Sequence, residues 1–257
     1  MLNKDRQNII IDMLNQDKSV QIPDLAEKFN VSIATIRRDL RELEEQNLIK
    51  RIYGGAVLPE KPTLQPYFPR ANRHKEEKSL LGAVAASLVQ EGETIVLDIG
   101  TTVLEVAKNI KNIQNLMVIS NSLPILTELE PCSNIQLFSM GGQLNANMHA
   151  LTGYIAEQTL NNFCVDKAFI GVAGISMEYG LTNFNQESAQ LCAATIRRAK
   201  KSILVADSSK FGMTNFAVVG SLNCVDTVIT DEGIPEKYKT YFESNGIELI
   251  IASKDMM

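Results

Sequence analysis

No apolar run in this 257-residue sequence approaches the roughly 20 residues that cross a bilayer, and no stretch is low-complexity or internally repeated. Neither a membrane-spanning helix nor a repeat architecture is expected, and no membrane partner is expected. Cysteine is scarce and scattered. Cys132, Cys164, Cys192 and Cys224 include no C-x-x-C pair, which argues against a zinc site or a disulfide frame and fits buried, reduced thiols. No metal and no organic cofactor is expected. The opening MLNKDRQNIIIDMLNQ lacks the continuous apolar stretch and small-residue cleavage site of a secretory signal, so the expected location is the cytoplasm. Bulk positive charge is missing too: the net charge is −5, and residues 1–61 balance ten basic against ten acidic side chains. If this chain binds a polyanion, the arrangement of its charges must do the work.

The chain does hold a concentrated block of proline. Four of its eight prolines fall within PEKPTLQPYFP, residues 59–69, where neither helix nor sheet is expected to continue. Three regions follow from this: residues 1–58, a linker over 59–73, and residues 74–257. In the first, Ile9, Ile10, Met13 and Leu14 are spaced as one helix face, and Leu25, Ala26 and Phe29 as a second helix opened by Pro23. A third helix starts near Ser32 after a tight turn. LIKRIYGGAVL then alternates about Gly54-Gly55 as a hairpin does, which completes a winged helix-turn-helix pattern. In the last region TIVLD, LMVIS, IQLFS, KAFIG, SILVA, DTVIT and IELII alternate with helical segments, and HKEEKSLLGAVAASLVQEG leads in as a helix. Such alternation predicts a doubly wound, mostly parallel α/β domain.

On a helix from Ser32, Ile33, Ile36, Leu40 and Leu43 gather on a core side, while Ala34, Arg37, Arg38 and Arg41 lie away from it. The outer side suits a DNA major groove: Ala34 and Thr35 reach base edges near the helix start, and the arginines reach guanine or phosphate. Glu44 and Glu45 sit at the far end, and Lys50 and Arg51 return positive charge on the wing.

Ligands of parallel sheets bind beyond the strand C-termini. Asp98-Ile-Gly-Thr-Thr102 follows TIVL and opens a helix: Gly100 permits close backbone approach, Thr101 and Thr102 supply hydroxyls, and Asp98 accepts from a ligand hydroxyl. Asn121 and Ser122 with Ser120, Gly141-Gly142, and Lys210 after Ser208-Ser209 close other strands on the same rim, Lys210 being the point charge for a phosphate.

SIATIRRDL, with Arg6, Ile10 and Leu14 upstream, resembles the signature of the DeoR family of bacterial transcription regulators, and IKRIYGGAV resembles its wing. The likeness continues through VLDIGTT, VISNS, MGGQL, KAFIGVAGIS, GLTNFNQES and ADSSKFG, so it covers nearly the whole chain. It implies a recognition helix carrying Ser32, Thr35, Arg37 and Arg38, with Lys50, Arg51 and Tyr53 on or beside the wing. It also implies an effector domain similar in fold to ribose-5-phosphate isomerase and acyl-CoA transferase subunits. Asp98, Thr101, Thr102, Asn121, Gly141, Gly142, Glu187 and Lys210 are then implied to line a pocket for a phosphorylated sugar or related metabolite. One departure stands out. GGQLNANMHALTG has Asn145, and no basic residue but His149, where many relatives place an arginine, which leaves the phosphate anchor open. The expected function is a repressor of a carbohydrate operon, a dimer or tetramer of identical chains on a duplex operator. The alternative is an isomerase-like enzyme in which Asp98, Glu187 and Lys210 move protons.

Overall fold

The computed structural model describes residues 3–45, 48–58 and 67–253. The chain divides into two compact units, residues 1–69 and 70–257. The first holds α1 (Asn3–Asp17), β1 (Ser19–Gln21), α2 (Ile22–Phe29), α3 (Ile33–Glu45), β2 (Lys50–Ile52) and β3 (Gly55–Val57). Ile10, Ile11 and Leu14 of α1, Leu25 of α2, and Ile36, Leu40 and Leu43 of α3 close one small core with Val20, Leu48, Ile49 and Ala56. Each such aliphatic side chain contributes about 2 kcal/mol of transfer free energy.

Pro23 sits in the first turn of α2, where its missing N–H is not needed, and Asn30 ends that helix in the left-handed region at φ 50°. Ser32 then caps α3: its Oγ accepts the Thr35 N–H at 3.1 Å. Ile33 departs from expectation and is 47% exposed. As the first helical residue it points its Cβ back toward the N-terminus, beyond the helices that cover Ile36, Leu40 and Leu43.

The wing is three-stranded, in the order β1-β3-β2, because VQ joins as an antiparallel strand that the sequence reading did not foresee. Its two-residue turn is Tyr53-Gly54 and not Gly54-Gly55, since Ile52 pairs with Gly55. Gly54 supplies the positive φ, 81°, that this turn needs. A Cβ on Gly55 would stand 2.1 Å from the Val20 carbonyl oxygen, so only glycine lets β1 and β3 meet.

Of the proline-rich stretch, residues 59–66 lie outside the described residues, as does the side chain of Glu45. Tyr67–Ala71 form a short helix, α4, within the span expected to be irregular. Pro69 is its third residue, a first-turn position where proline is tolerated.

The second unit runs α5 (Lys75–Ala86), β4 (Thr94–Leu97), α6 (Thr101–Asn109), β5 (Leu116–Ser120), α7 (Leu123–Leu129), β6 (Ile135–Ser139), β7 (Gln143–Asn145), β8 (Ala150–Thr152), α8 (Tyr154–Leu160) and β9 (Val165–Ile170). It continues through β10 (Gly174–Ser176), β11 (Gly180–Asn183), α9 (Gln186–Arg198), β12 (Ala199–Val205), β13 (Ala217–Gly220), β14 (Thr227–Asp231), α10 (Glu236–Ser244) and β15 (Glu248–Ala252). All seven apolar runs named above become strands of one parallel sheet, in the order β15-β14-β12-β9-β4-β5-β6. The chain winds outward from β4 to β6, returns to β9 on the other side of β4, and winds outward again. The reversal lies between β4 and β9.

Alternation along each strand feeds two cores. Ile95 and Leu97 face α5, α6 and α7, whereas Val96 faces α8, α9 and α10. Two small antiparallel pieces, β7-β8 and β10-β11-β13, are additions that the apolar pattern did not announce.

Candidate DNA interface and effector site

The outer face of α3 presents Ser32, Ala34, Arg37, Arg38 and Arg41 to solvent, with Thr35 half-buried beside them. The Thr35 hydroxyl is 2.9 Å from that of Ser32. What makes this face positive in a charge-balanced segment is the disposal of its carboxylates. Asp39, completely buried, receives Nε and Nη2 of Arg6 from α1 at 2.5 and 3.0 Å. Glu42 accepts from Asn3 Nδ2 at 2.9 Å and Gln7 Nε2 at 2.7 Å, and lies 3.9 Å from Arg38. The Asn3 bond, with help from Gln7 and the nearby arginines, outweighs burial and lowers the Glu42 pKa.

Glu44 turns to the wing, accepting the Arg51 N–H at 3.0 Å and approaching its guanidinium at 3.6 Å. Arg51 thus fastens the wing to α3. Lys50 is exposed on β2, and Tyr53 is fully exposed at the hairpin tip. Arg6 and Asp39 were not singled out as a pair by the sequence. A basic residue on α1 and an acid inside an arginine-rich run read separately as surface charges.

In the second unit, Asp98, Thr101, Thr102, Asn121 and Ser122 are buried where β4 and β5 end. Gly100 is packed against Gly171, at the end of β9, so these turns sit at the reversal of the sheet. The Asp98 side chain is 2% exposed. Burial pushes its pKa up to about 7, offset only in part by the Ile99 N–H and the Cys192 thiol. Burial, with Asp98 alongside, holds that thiol protonated. All four cysteines are free, but only Cys192 is buried, and Cys164 is exposed, contrary to the expectation of four buried thiols. Cys164 lies in the loop between α8 and β9, turned to solvent between Phe163 and Val165, which pack on the core.

The segment 150–152 draws further residues together. Asn121 and Leu151 exchange hydrogen bonds, Nδ2 to carbonyl at 3.2 Å and N–H to Asn121 carbonyl at 2.7 Å. Thr152 donates its hydroxyl to Glu187 of α9 at 3.0 Å. A Cβ on Gly142 would come within 2.5 Å of the Thr152 oxygen, and Gly141 precedes it after β6. Lys210 keeps different company. It stands half-buried after β12, 3.8 Å from Asp207 Oδ2 and 3.2 Å from Ser209 Oγ.

Asp98 Oδ2, Asn121 Oδ1 and Ser122 Oγ are buried and make no hydrogen bond among the described residues. Asn121 Oδ1 can only accept, and Asp98 Oδ2 accepts once its carboxyl is ionised. The turns of β4 and β5 therefore offer a ligand what its hydroxyls need, acceptors already stripped of water. Among the described residues no group of His, Cys, Asp and Glu could hold a metal ion, and no helix is long and apolar enough to cross a membrane.

A winged helix with a cationic outer face and a parallel α/β body with open strand ends define a transcription regulator that carries its DNA reader and its ligand domain on one chain. The chain matches the DeoR-like helix-turn-helix domain over residues 6–62 and the DeoR C terminal sensor domain over residues 73–232. It is 36% identical over 256 residues to the HTH-type transcriptional repressor GlcR of Bacillus subtilis (strain 168), covering 99% of this chain and 98% of that one. It is 33% identical over 249 residues to the glycerol-3-phosphate regulon repressor of Escherichia coli (strain K12), covering 97% and 99%. A structure of ribose 5-phosphate isomerase A from Methanocaldococcus jannaschii matches with a TM-score of 0.40 and 17% identity over 53% of this chain and 54% of that one. The protein belongs to the DeoR family. It is a DNA-binding transcription regulator, and the isomerase alternative is set aside with that assignment.

Proposed function

We propose that this regulator represses a carbohydrate operon and that a phosphorylated sugar or related metabolite, bound at the strand ends of the parallel sheet, sets its affinity for the operator. The observation that carries the reading is the trio of unpaired buried atoms on Asp98, Asn121 and Ser122, which await donors that a polyol supplies. Thr101, Thr102, Gly100, Gly141, Gly142, Glu187 and Lys210 complete the effector site. Ser32, Ala34, Thr35, Arg37, Arg38 and Arg41 read the duplex from α3, and Lys50, Arg51 and Tyr53 contact it from the wing. The relative named for a glycerol-3-phosphate regulon supports a phosphorylated metabolite as the signal.

The working unit is a dimer or tetramer in the cytoplasm, residues 1–58 acting as the reader, 59–73 as the connection and 74–257 as the sensor. Paired heads suit paired half-sites, and the ligand acts by favouring one arrangement of those heads over another. Phe216 and Val218, exposed at the edge strand β13, supply apolar surface for assembly.

Calorimetric titration of the full chain with a panel of phosphorylated sugars, polyols and nucleosides tests the sensor. At least one is expected to bind and to shift an operator gel-shift, with binding lost in Asp98→Ala. Silence across the panel from folded protein removes the sensor role, and sedimentation as a monomer at working concentration removes the paired-head arrangement.

A further inference from the structure

Ile33 is the first residue of α3, and close to half of its side chain stays in solvent. The start of the helix does not depend on it. Ser32 supplies the cap through its Oγ, while Val31, just before the cap, and Ile36, one turn inside the helix, pack on the small core. A β-branched residue is also a poorer helix former than alanine or leucine, so neither capping nor propensity calls for an isoleucine here.

Its surroundings give it a use. Among the described residues of the first unit, the large apolar side chains left exposed are Ile33, at the start of α3, and Ile52 and Tyr53, at the tip of the wing. The outer faces of α1 and α2 carry none, so exposed apolar surface is confined to the two elements that a winged helix turns toward DNA. Arg37 stands one turn on from Ile33 along the same flank, and Ala34 is its exposed neighbour. An apolar protein surface laid on Ile33 would also strip water from Arg37, at a cost that a duplex does not impose. In a major groove the apolar group on the base edges is the C5-methyl of thymine, and residues at the N-terminal end of a recognition helix are the ones that reach those edges. Guanidinium and hydroxyl groups read donors and acceptors and leave that methyl unread.

We propose that Ile33, with Ala34 beside it, packs on the methyl group of a thymine in each operator half-site and is a specificity-determining residue of the DNA face. This rests on the reading of α3 as the recognition helix. One helical turn, about 5.4 Å, separates Ile33 from Arg37, so the thymine lies within about two base pairs of the base or phosphate that Arg37 meets. The contact releases no counterion. It therefore sets sequence preference without adding to the salt dependence that the arginines create at phosphates.

The test lets the full chain select duplexes from a randomised pool and then replaces each thymine of the preferred sequence, one at a time, by deoxyuridine, which pairs identically and lacks only the methyl. With wild-type protein, one position in each half-site should lose about fourfold in affinity, the worth of one buried methyl. Ile33→Ala should bind the thymine duplex more weakly by about that factor and should no longer distinguish thymine from uracil at that position. Its slope of log affinity against log salt should match the wild-type slope, and so should its thermal melt, because the side chain is exposed. Arg38→Ala is the companion variant, expected to weaken binding while keeping the preference for thymine. Uracil tolerated at every position, or an Ile33→Ala chain that still prefers thymine as wild type does, overturns the methyl contact, and α3 stays the reader if Arg38→Ala weakens binding. A pool that yields no preferred sequence, or affinity that neither variant alters, removes the recognition-helix reading and the methyl contact together.

Discussion

Each half of this protein buries an aspartate, and the two are treated in opposite ways. Asp39, wholly enclosed between α1 and α3, has both oxygens matched by the guanidinium of Arg6. Asp98, enclosed at the end of β4, has no cation, one oxygen without a partner and a pKa lifted to about 7. The first pair is finished when the chain folds, and it orients α3, the helix proposed to meet DNA. The second is unfinished, which is a cost to folding and a reason to bind. A regulator needs this division: a rigid reader whose geometry does not depend on the signal, and a sensor whose free energy does.

The largest effect should come from breaking the finished pair. Arg6→Met leaves Asp39 charged, buried and alone, which costs about 3–5 kcal/mol. Chemical denaturation should show the first unit unfolding early while the parallel sheet keeps its midpoint, and operator binding should disappear. The double variant Arg6→Met with Asp39→Leu should recover most of that stability, because the penalty lies in the orphaned charge. A single variant as stable as wild type would mean that Asp39 is not the anchor of α3.

Asp98→Asn should do the reverse. In the folded chain Asp98 holds its proton up to about pH 7, whereas in the unfolded chain it releases it near 3.8. Its contribution to stability is therefore full below pH 4 and is lost as pH rises toward 7. An amide does not pay that penalty, so at pH 8 the variant should be more stable by about 2–4 kcal/mol, with the gain vanishing below pH 4. Melting curves from pH 4 to 8 measure it, and the effector response should be absent throughout. A pH-independent difference would show that Asp98 is solvated or paired.

The same contrast governs what a reader of the sequence can see. The seven strands of the large sheet were legible because each is a run of β-branched residues buried on both faces, a pattern that periodicity alone detects. The three-residue strands β1, β7, β8 and β10 were not, since they are too short and mixed to show any period. Asp98, Asn121 and Ser122 could be picked out because strand ends are where ligands of such sheets bind. In the reader, the arginines of α3 were visible by angle, yet the sequestering of Asp39 and Glu42 needed α1 in place beside them.

A smaller effect sharpens the division at the DNA face. Arg38 is exposed and only loosely approached by Glu42 at 3.9 Å, so Arg38→Ala should leave the fold unchanged. Operator affinity should fall by about 1–3 kcal/mol if the side chain reaches a base edge, with effector affinity unaltered in calorimetry. Unchanged gel-shift affinity would take Arg38 off the interface.

The smallest effect repeats the comparison with two serines. Both stand at the N-cap of a helix, Ser32 before α3 and Ser122 before α7. Ser32 Oγ accepts the Thr35 N–H and meets its hydroxyl, whereas Ser122 Oγ is buried and bonds to nothing described. Ser32→Ala should cost about 1 kcal/mol and fray the end of α3 that carries Ala34 and Thr35, weakening operator binding as well. Ser122→Ala removes a hydroxyl whose desolvation nothing repays, so stability should hold or rise slightly while effector affinity drops. Equal losses of stability at the two positions, read by denaturant midpoint, would mean that Ser122 serves α7 as Ser32 serves α3, and that its hydroxyl is not held in reserve for a ligand.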